Sequence, residues 1–75
     1  SEFFPGVYIN RITRGSPAYK AGFLPGSIIT QIDKNEIRNL IDLQAIAEQK
    51  QNIQKAISFL LVDPRGSIEY KAIKP

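Results

Sequence analysis

The sequence contains neither cysteine nor histidine. Disulfide bridges are excluded, and so is a zinc site built from Cys and His ligands. Ser-His-Asp and Cys-His catalysis within this chain is excluded too, because the imidazole that activates the nucleophile is missing. No stretch approaches the ~20 apolar residues of a membrane span. No signal-peptide pattern opens the chain. It begins mid-pattern at Ser1-Glu2 and reads as a domain taken from a longer parent. Blocks of like charge are also missing. The net charge is +3, from ten basic and seven acidic residues spread along the chain. A nucleic-acid surface needs a dense basic patch with aromatics among it, so no nucleic-acid partner and no membrane contact are expected. No loop carries the several carboxylates of a calcium site. Asp33 and Glu36 flank a turn and read as solvated turn formers. No cofactor, no metal site and no catalytic residue are expected.

What is present is one small domain. A chain of 75 residues buries only ~60–65% of its unfolded surface, so its core is modest. Its apolar content of 43% is that of a folded domain and argues against disorder. Residues 1–75 are read as a single domain, with 6–73 its body and 1–5 a tail or a truncated strand.

The organising stretch is Gly15-Ser16-Pro17-Ala18-Tyr19-Lys20-Ala21-Gly22-Phe23-Leu24-Pro25-Gly26-Ser27-Ile28-Ile29. Ser16 suits a helix N-cap, where its hydroxyl accepts a free first-turn amide. Pro17 suits the first helical position, where its missing N–H costs nothing. A phosphate loop is disfavoured there, because that proline removes an amide the anion needs. Ala18 and Ala21 share a face and permit close packing. Gly22 supplies the left-handed residue that stops the helix. Pro25-Gly26 reads as a turn, and Ser27-Ile28-Ile29 as a new strand.

On either side the pattern is extended. Val7 and Ile9 alternate as in a strand. A bulge near Asn10-Arg11 is expected to return Ile12 to the core face. After the strand over 27–33, a two-residue hairpin centred on Lys34-Asn35 leads to a very short strand at Ile37. Asn39 suits a second N-cap, and a helix is expected over 40–50. Asp42 in its first turn favours the positive end of the helix dipole. Leu43, Ile46 and Lys50 share one face; Leu40, Gln44 and Ala47 share another. Residues 56–62 form an apolar run of high strand propensity. Asp63-Pro64-Arg65-Gly66 is a turn, and 67–73 returns as a half-exposed strand with Ile68, Tyr70 and Ala72 opposed to Glu69 and Lys71. The order β-α-β-β-α-β-β gives an α+β, mainly β fold. The expected form is a partly open barrel or sandwich of about five strands with one short and one longer helix.

The succession Gly-Ser-Pro-Ala, a short helix ending in Ala-Gly, a Pro-Gly turn and an apolar strand resembles the signature of PDZ domains. The likeness extends over 6–73. A strand such as 67–73 at the C-terminal end resembles the circularly permuted order of bacterial envelope PDZ domains, above all those of HtrA-type serine proteases. The resemblance implies a module that adds an extended peptide or a protein C-terminus as a strand beside the long helix. Leu40, Gln44 and Ala47 would then line the groove, although Leu40 and Ala47 also suit a core or edge-covering role and Gln44 a plain exposed one. Phe3 and Phe4 stand where the family carries its carboxylate-binding loop, but no glycine separates them. That segment either lies outside this sequence or is absent from the protein. In the second case an open strand edge would invite another chain, a second copy included.

The resemblance thus implies a non-catalytic binding module. Its expected place is the substrate-recognition or regulatory part of an HtrA-like protease in the bacterial periplasm or cell envelope. The alternative is an assembly module of a secretion or other envelope complex, which holds a partner subunit and does not read free C-termini.

Overall fold

The computed structural model describes residues 5–74. Phe3 and Phe4 lie outside them. The elements run β1 (Val7–Tyr8), α1 (Pro17–Lys20), β2 (Ile28–Ile32), β3 (Asn35–Glu36), α2 (Leu40–Lys50), β4 (Ile57–Val62) and β5 (Ile68–Ile73). They build an open antiparallel sheet of five strands in the order β1-β2-β4-β5, with β3 paired to β2. With its two helices this is the mainly β, α+β architecture that the sequence predicts.

Four residues are too few for a helix to hold itself together, so α1 depends on its ends. Ser16 Oγ accepts the Tyr19 N–H at 3.2 Å. At the other end the Phe23 N–H donates to the Ala18 carbonyl and the Gly22 N–H to that of Tyr19. This pair of bonds is a Schellman motif, which needs a left-handed residue, and Gly22 has φ 88°. Held this way, α1 presses Ala18 and Ala21 against the core. The Ser27 N–H then closes the next turn on the Leu24 carbonyl at 3.2 Å.

The core is Phe23, Ile29, Ile32, Ile37 and Leu61, with Phe59 meeting Phe23 edge-on at 5.2 Å. Ile29 and Ile32 are three apart, and a regular strand would send them to opposite faces. A shift in pairing between Ile29 and Gln31 resolves this. Ile29 faces Leu61 while Gln31 faces Leu60, leaving Thr30 as the extra residue. The bulge thus lies in β2 and not near Asn10-Arg11. Ile12 packs on the core from the irregular segment beyond β1, which ends at Tyr8.

The hairpin turn also differs from expectation. Ile32 pairs with Asn35, so the turn is Asp33-Lys34, one residue early. Asp33 takes the positive φ of 52°, and the Asn35 side chain donates to the Ile32 carbonyl. The reason is non-local: Asp33 is held from outside the hairpin, as described below. Ile37 follows β3 and is fully buried.

The two faces of β5 follow from its register with β4. The row Val7, Ile29, Leu61, Glu69 faces the core, so the row Tyr8, Ile28, Val62, Ile68 faces outward. The apolar side chains Ile68, Tyr70 and Ala72 therefore lie on the exposed side, and Glu69 and Lys71 share the inner side with Ile73. The Asp63 turn fixes this register. Asp63 Oδ1 accepts the N–H groups of Arg65 and Ser67 at 2.9 and 2.8 Å.

Candidate functional site

Helix α2 is set by its own sequence. Asn39 Oδ1 accepts the Asp42 N–H at 3.0 Å, and Asp42 Oδ2 accepts the Arg38 N–H at 3.0 Å. The first contact satisfies an amide that the first turn leaves free, and the second ties the residue before the cap to the helix. Leu43 and Ile46 turn toward the core and are half-buried.

Beside this helix lies an apolar cavity of about 420 Å³, within the size range of ligand sites. Its walls include Leu43, Ile46 and Ala47 of α2, Ile57 and Phe59 of β4, and Ile73 of β5. A second cavity of about 470 Å³ adjoins it, between α1 and the end of β5; Pro17, Ile73 and Lys74 belong to both. In the order β1-β2-β4-β5, β1 and β5 are the terminal strands, so each has an outer backbone edge unpaired among the described residues, and β5 gives Ile73 to the cavity wall. A strand with an open edge that also walls an apolar cleft can accept an extended chain.

Of the residues predicted to form a groove, Ala47 lines the cavity beside α2. Leu40 and Gln44 lie along the same side of α2, exposed and beyond the cavity walls, with Leu40 57% exposed. Phe3 and Phe4 fall outside the described residues. Sequence reasoning read Leu43, Ile46 and Lys50 as one helix face, yet that face both packs on the core and walls the cavity. Ile57, Phe59 and Ile73 carry only strand signals in the sequence, and no local signal marks them as cavity walls.

A carboxylate at the hairpin secures the far end of α2. Asp33 Oδ2 lies 2.6 Å from Lys50 Nζ. Asp33 Oδ1 accepts the Ser58 N–H at 3.0 Å, and the Asp33 N–H donates to the Ser58 carbonyl at 2.7 Å. The Lys50 ammonium and then the Ser58 N–H hold the Asp33 carboxyl below the usual carboxylate range. Asp33 is thus a brace between hairpin, helix and β4, and not a solvated turn former. Among the described residues no three His, Cys, Asp or Glu side chains are grouped to hold a metal ion.

A family model described as "PDZ domain" matches residues 8–60. The chain belongs to the PDZ domain family. The mitochondrial serine proteases HTRA2 of Drosophila erecta and Drosophila yakuba are each 40% identical to this PDZ domain over 53 residues, which is 69% of the chain and 13% of the relative. That of Drosophila ananassae is 38% identical over 53 residues, 69% of the chain and 12% of the relative. The chain therefore spans about an eighth of the length of the curated relatives it matches. The HtrA-type likeness is borne by these proteins. They are insect mitochondrial proteases, whereas the motif implied a bacterial envelope.

Proposed function

We propose that this PDZ domain is a non-catalytic module that binds extended peptide segments or protein C-termini for an HtrA-type serine protease, as its substrate-recognition or regulatory part. The observation that carries this reading is the apolar cavity walled by α2, by Ile57 and Phe59 of β4 and by Ile73 of β5, a strand whose outer edge is unpaired among the described residues. A ligand added as a strand gains main-chain hydrogen bonds at the edge, and its alternate side chains enter the cleft. Ala47 forms the wall at the cavity, and a chain continuing along the helix would meet Gln44 and Leu40. Backbone pairing tolerates many sequences, which suits recognition of varied unfolded substrates. With no histidine and no cysteine in the chain, the chemistry falls to another part of the parent. The compartment proposed from the motif is the periplasm or cell envelope; the mitochondrial relatives favour an organelle. Both are compartments in which such a protease meets unfolded chains.

A second reading draws on the outer face of the sheet. Tyr8, Ile68 and Tyr70 are 54%, 71% and 69% exposed there, opposite Ile28, Val62 and Leu60 on the neighbouring strands. Exposed large apolar side chains on one face, with Ile68 and Tyr70 together on β5, suit an assembly module holding a partner subunit.

An amide titration by NMR separates the two. Peptides with a free carboxylate, and the same peptides amidated, are added to the labelled domain. Shifts along α2 and β5 support the groove. Shifts that require the free carboxylate make it a reader of C-termini. Silence in the groove, with shifts at Tyr8, Ile68 and Tyr70 on adding a partner subunit, supports assembly.

A further inference from the structure

The charged residues in the walls of the two adjoining cavities are all basic. Lys50, Lys55 and Lys74 border the cavity beside α2, Lys20 and Lys74 the one beside α1, and neither has an acidic residue in its walls. Lys50 is occupied by Asp33. Lys20, Lys55 and Lys74 are exposed and make no ion pair among the described residues. The floor between them is apolar, with Ile73 and Pro17 shared by both cavities. A ligand matching this surface has an apolar anchor in the middle and negative charge on either side. Unneutralised cations around a cleft attract such a ligand at a distance and repel a basic one.

We propose that the groove selects extended peptide segments in which an aliphatic or aromatic anchor is flanked by Asp or Glu, read by Lys55 and Lys74 on one cavity and Lys20 on the other. This rests on the groove reading above and adds the class of segment it takes. The three lysines are specificity determinants. The anchor supplies burial, and the flanking carboxylates supply discrimination between otherwise similar chains.

The test uses the 75-residue chain and three peptides. All share one aliphatic centre and one free C-terminus; the flanks are Glu, Ser or Lys. Affinity is read by fluorescence anisotropy, and the site by amide shifts along α2. The Glu-flanked peptide is expected to bind about fivefold more tightly than the Ser-flanked one, and the Lys-flanked peptide more weakly by a similar factor, as exposed charge pairs permit. The order should collapse in about 1 M salt, where the Debye length is ~3 Å. The triple variant Lys20→Glu, Lys55→Glu, Lys74→Glu should reverse it. Replacing the same lysines with Gln should abolish it while the Ser-flanked peptide binds as before. Equal affinity for all three peptides, with α2 amides still shifting, overturns the acidic selection and leaves the groove standing. No α2 shift with any peptide overturns the groove, and the selection with it.

Discussion

Lys50 Nζ meets Asp33 Oδ2 at 2.6 Å and so ties the last turn of α2 to the β2–β3 hairpin. The same carboxylate reaches the Ser58 N–H of β4 through its other oxygen. Three elements that are distant in sequence therefore share one side chain, at the end of the helix that walls the groove.

That brace makes stability depend on acid. The folded Asp33 carboxyl titrates below its unfolded value, because Lys50 and the Ser58 N–H favour the charged form. Its contribution is complete above the unfolded carboxylate range, and it is lost as pH falls through the folded value. Thermal melts should fall on acidification below about pH 4. Asp33→Asn should cost about 1 kcal/mol at neutral pH and flatten that acid limb. An unchanged acid limb in the variant would show that other carboxylates govern it.

Two glycines should resist substitution for different reasons. A Cβ on Gly6 would stand 2.5 Å from the Ile29 carbonyl oxygen and 2.7 Å from Ile28 Cγ2, at φ 153°. Backbone cannot move aside cheaply, so Gly6→Ala should cost roughly 2–3 kcal/mol in chemical denaturation. At Gly22 the nearest obstacle is the flexible Lys71 ammonium at 3.3 Å. There the φ of 88° alone resists a side chain, and Gly22→Val should cost about 1–2 kcal/mol.

Groove variants should separate binding from folding. Ala47 and Leu40 are both exposed, so Ala47→Glu and Leu40→Glu should leave stability within about 0.5 kcal/mol. Ala47→Glu puts a carboxylate into the apolar cavity and should abolish peptide binding. Leu40→Glu should weaken it severalfold. Full affinity in Leu40→Glu would confine the groove to the C-terminal half of α2. A large fall in melting temperature would show that Leu40 supports the core.

Ser27 presents a buried group without a mate. It is 0% exposed, and its Oγ has no hydrogen-bond partner among the described residues. A buried unpaired hydroxyl costs about 1–3 kcal/mol. Ser27→Ala should therefore be neutral or should raise stability by up to about 1 kcal/mol in urea unfolding. A clear loss would mean that the hydroxyl has a bonded mate.

The local part of this fold is legible in the sequence. Ser16, Pro17 and Gly22 mark both ends of α1, Asn39 starts α2, and Asp63 makes the last turn. Each of these signals is a bond within five residues of its own position. What the sequence hides depends on distant partners. The hairpin turn falls on Asp33-Lys34 because Ser58 and Lys50 hold Asp33 in place. The faces of β5 are set by Leu61 and Phe59 across the ladder, against the pull of its own alternation. The candidate site is legible to the same degree. The helix and Ala47 can be read from it, but the opposite wall belongs to β4 and β5 and emerges only on folding.

Thr30 bears on how many residues β2 can hold. As the residue of β2 with no opposite number on β4, it brings Ile29 and Ile32 to the same face. Its hydroxyl reaches only the Leu60 carbonyl, at 3.2 Å, so Ser or Val at this site should be accepted readily. Deletion should be accepted as well. Without Thr30, Ile29 and Ile32 stand two apart, so regular alternation keeps both on the inner face, with Gln31 still opposite Leu60. What is lost is the bulge itself, with the Leu60 contact and the Ile37 N–H bond to the Thr30 carbonyl. The bulge corrects a spacing of three, and a spacing of two needs no correction, so at this position the chain tolerates loss as well as change of identity.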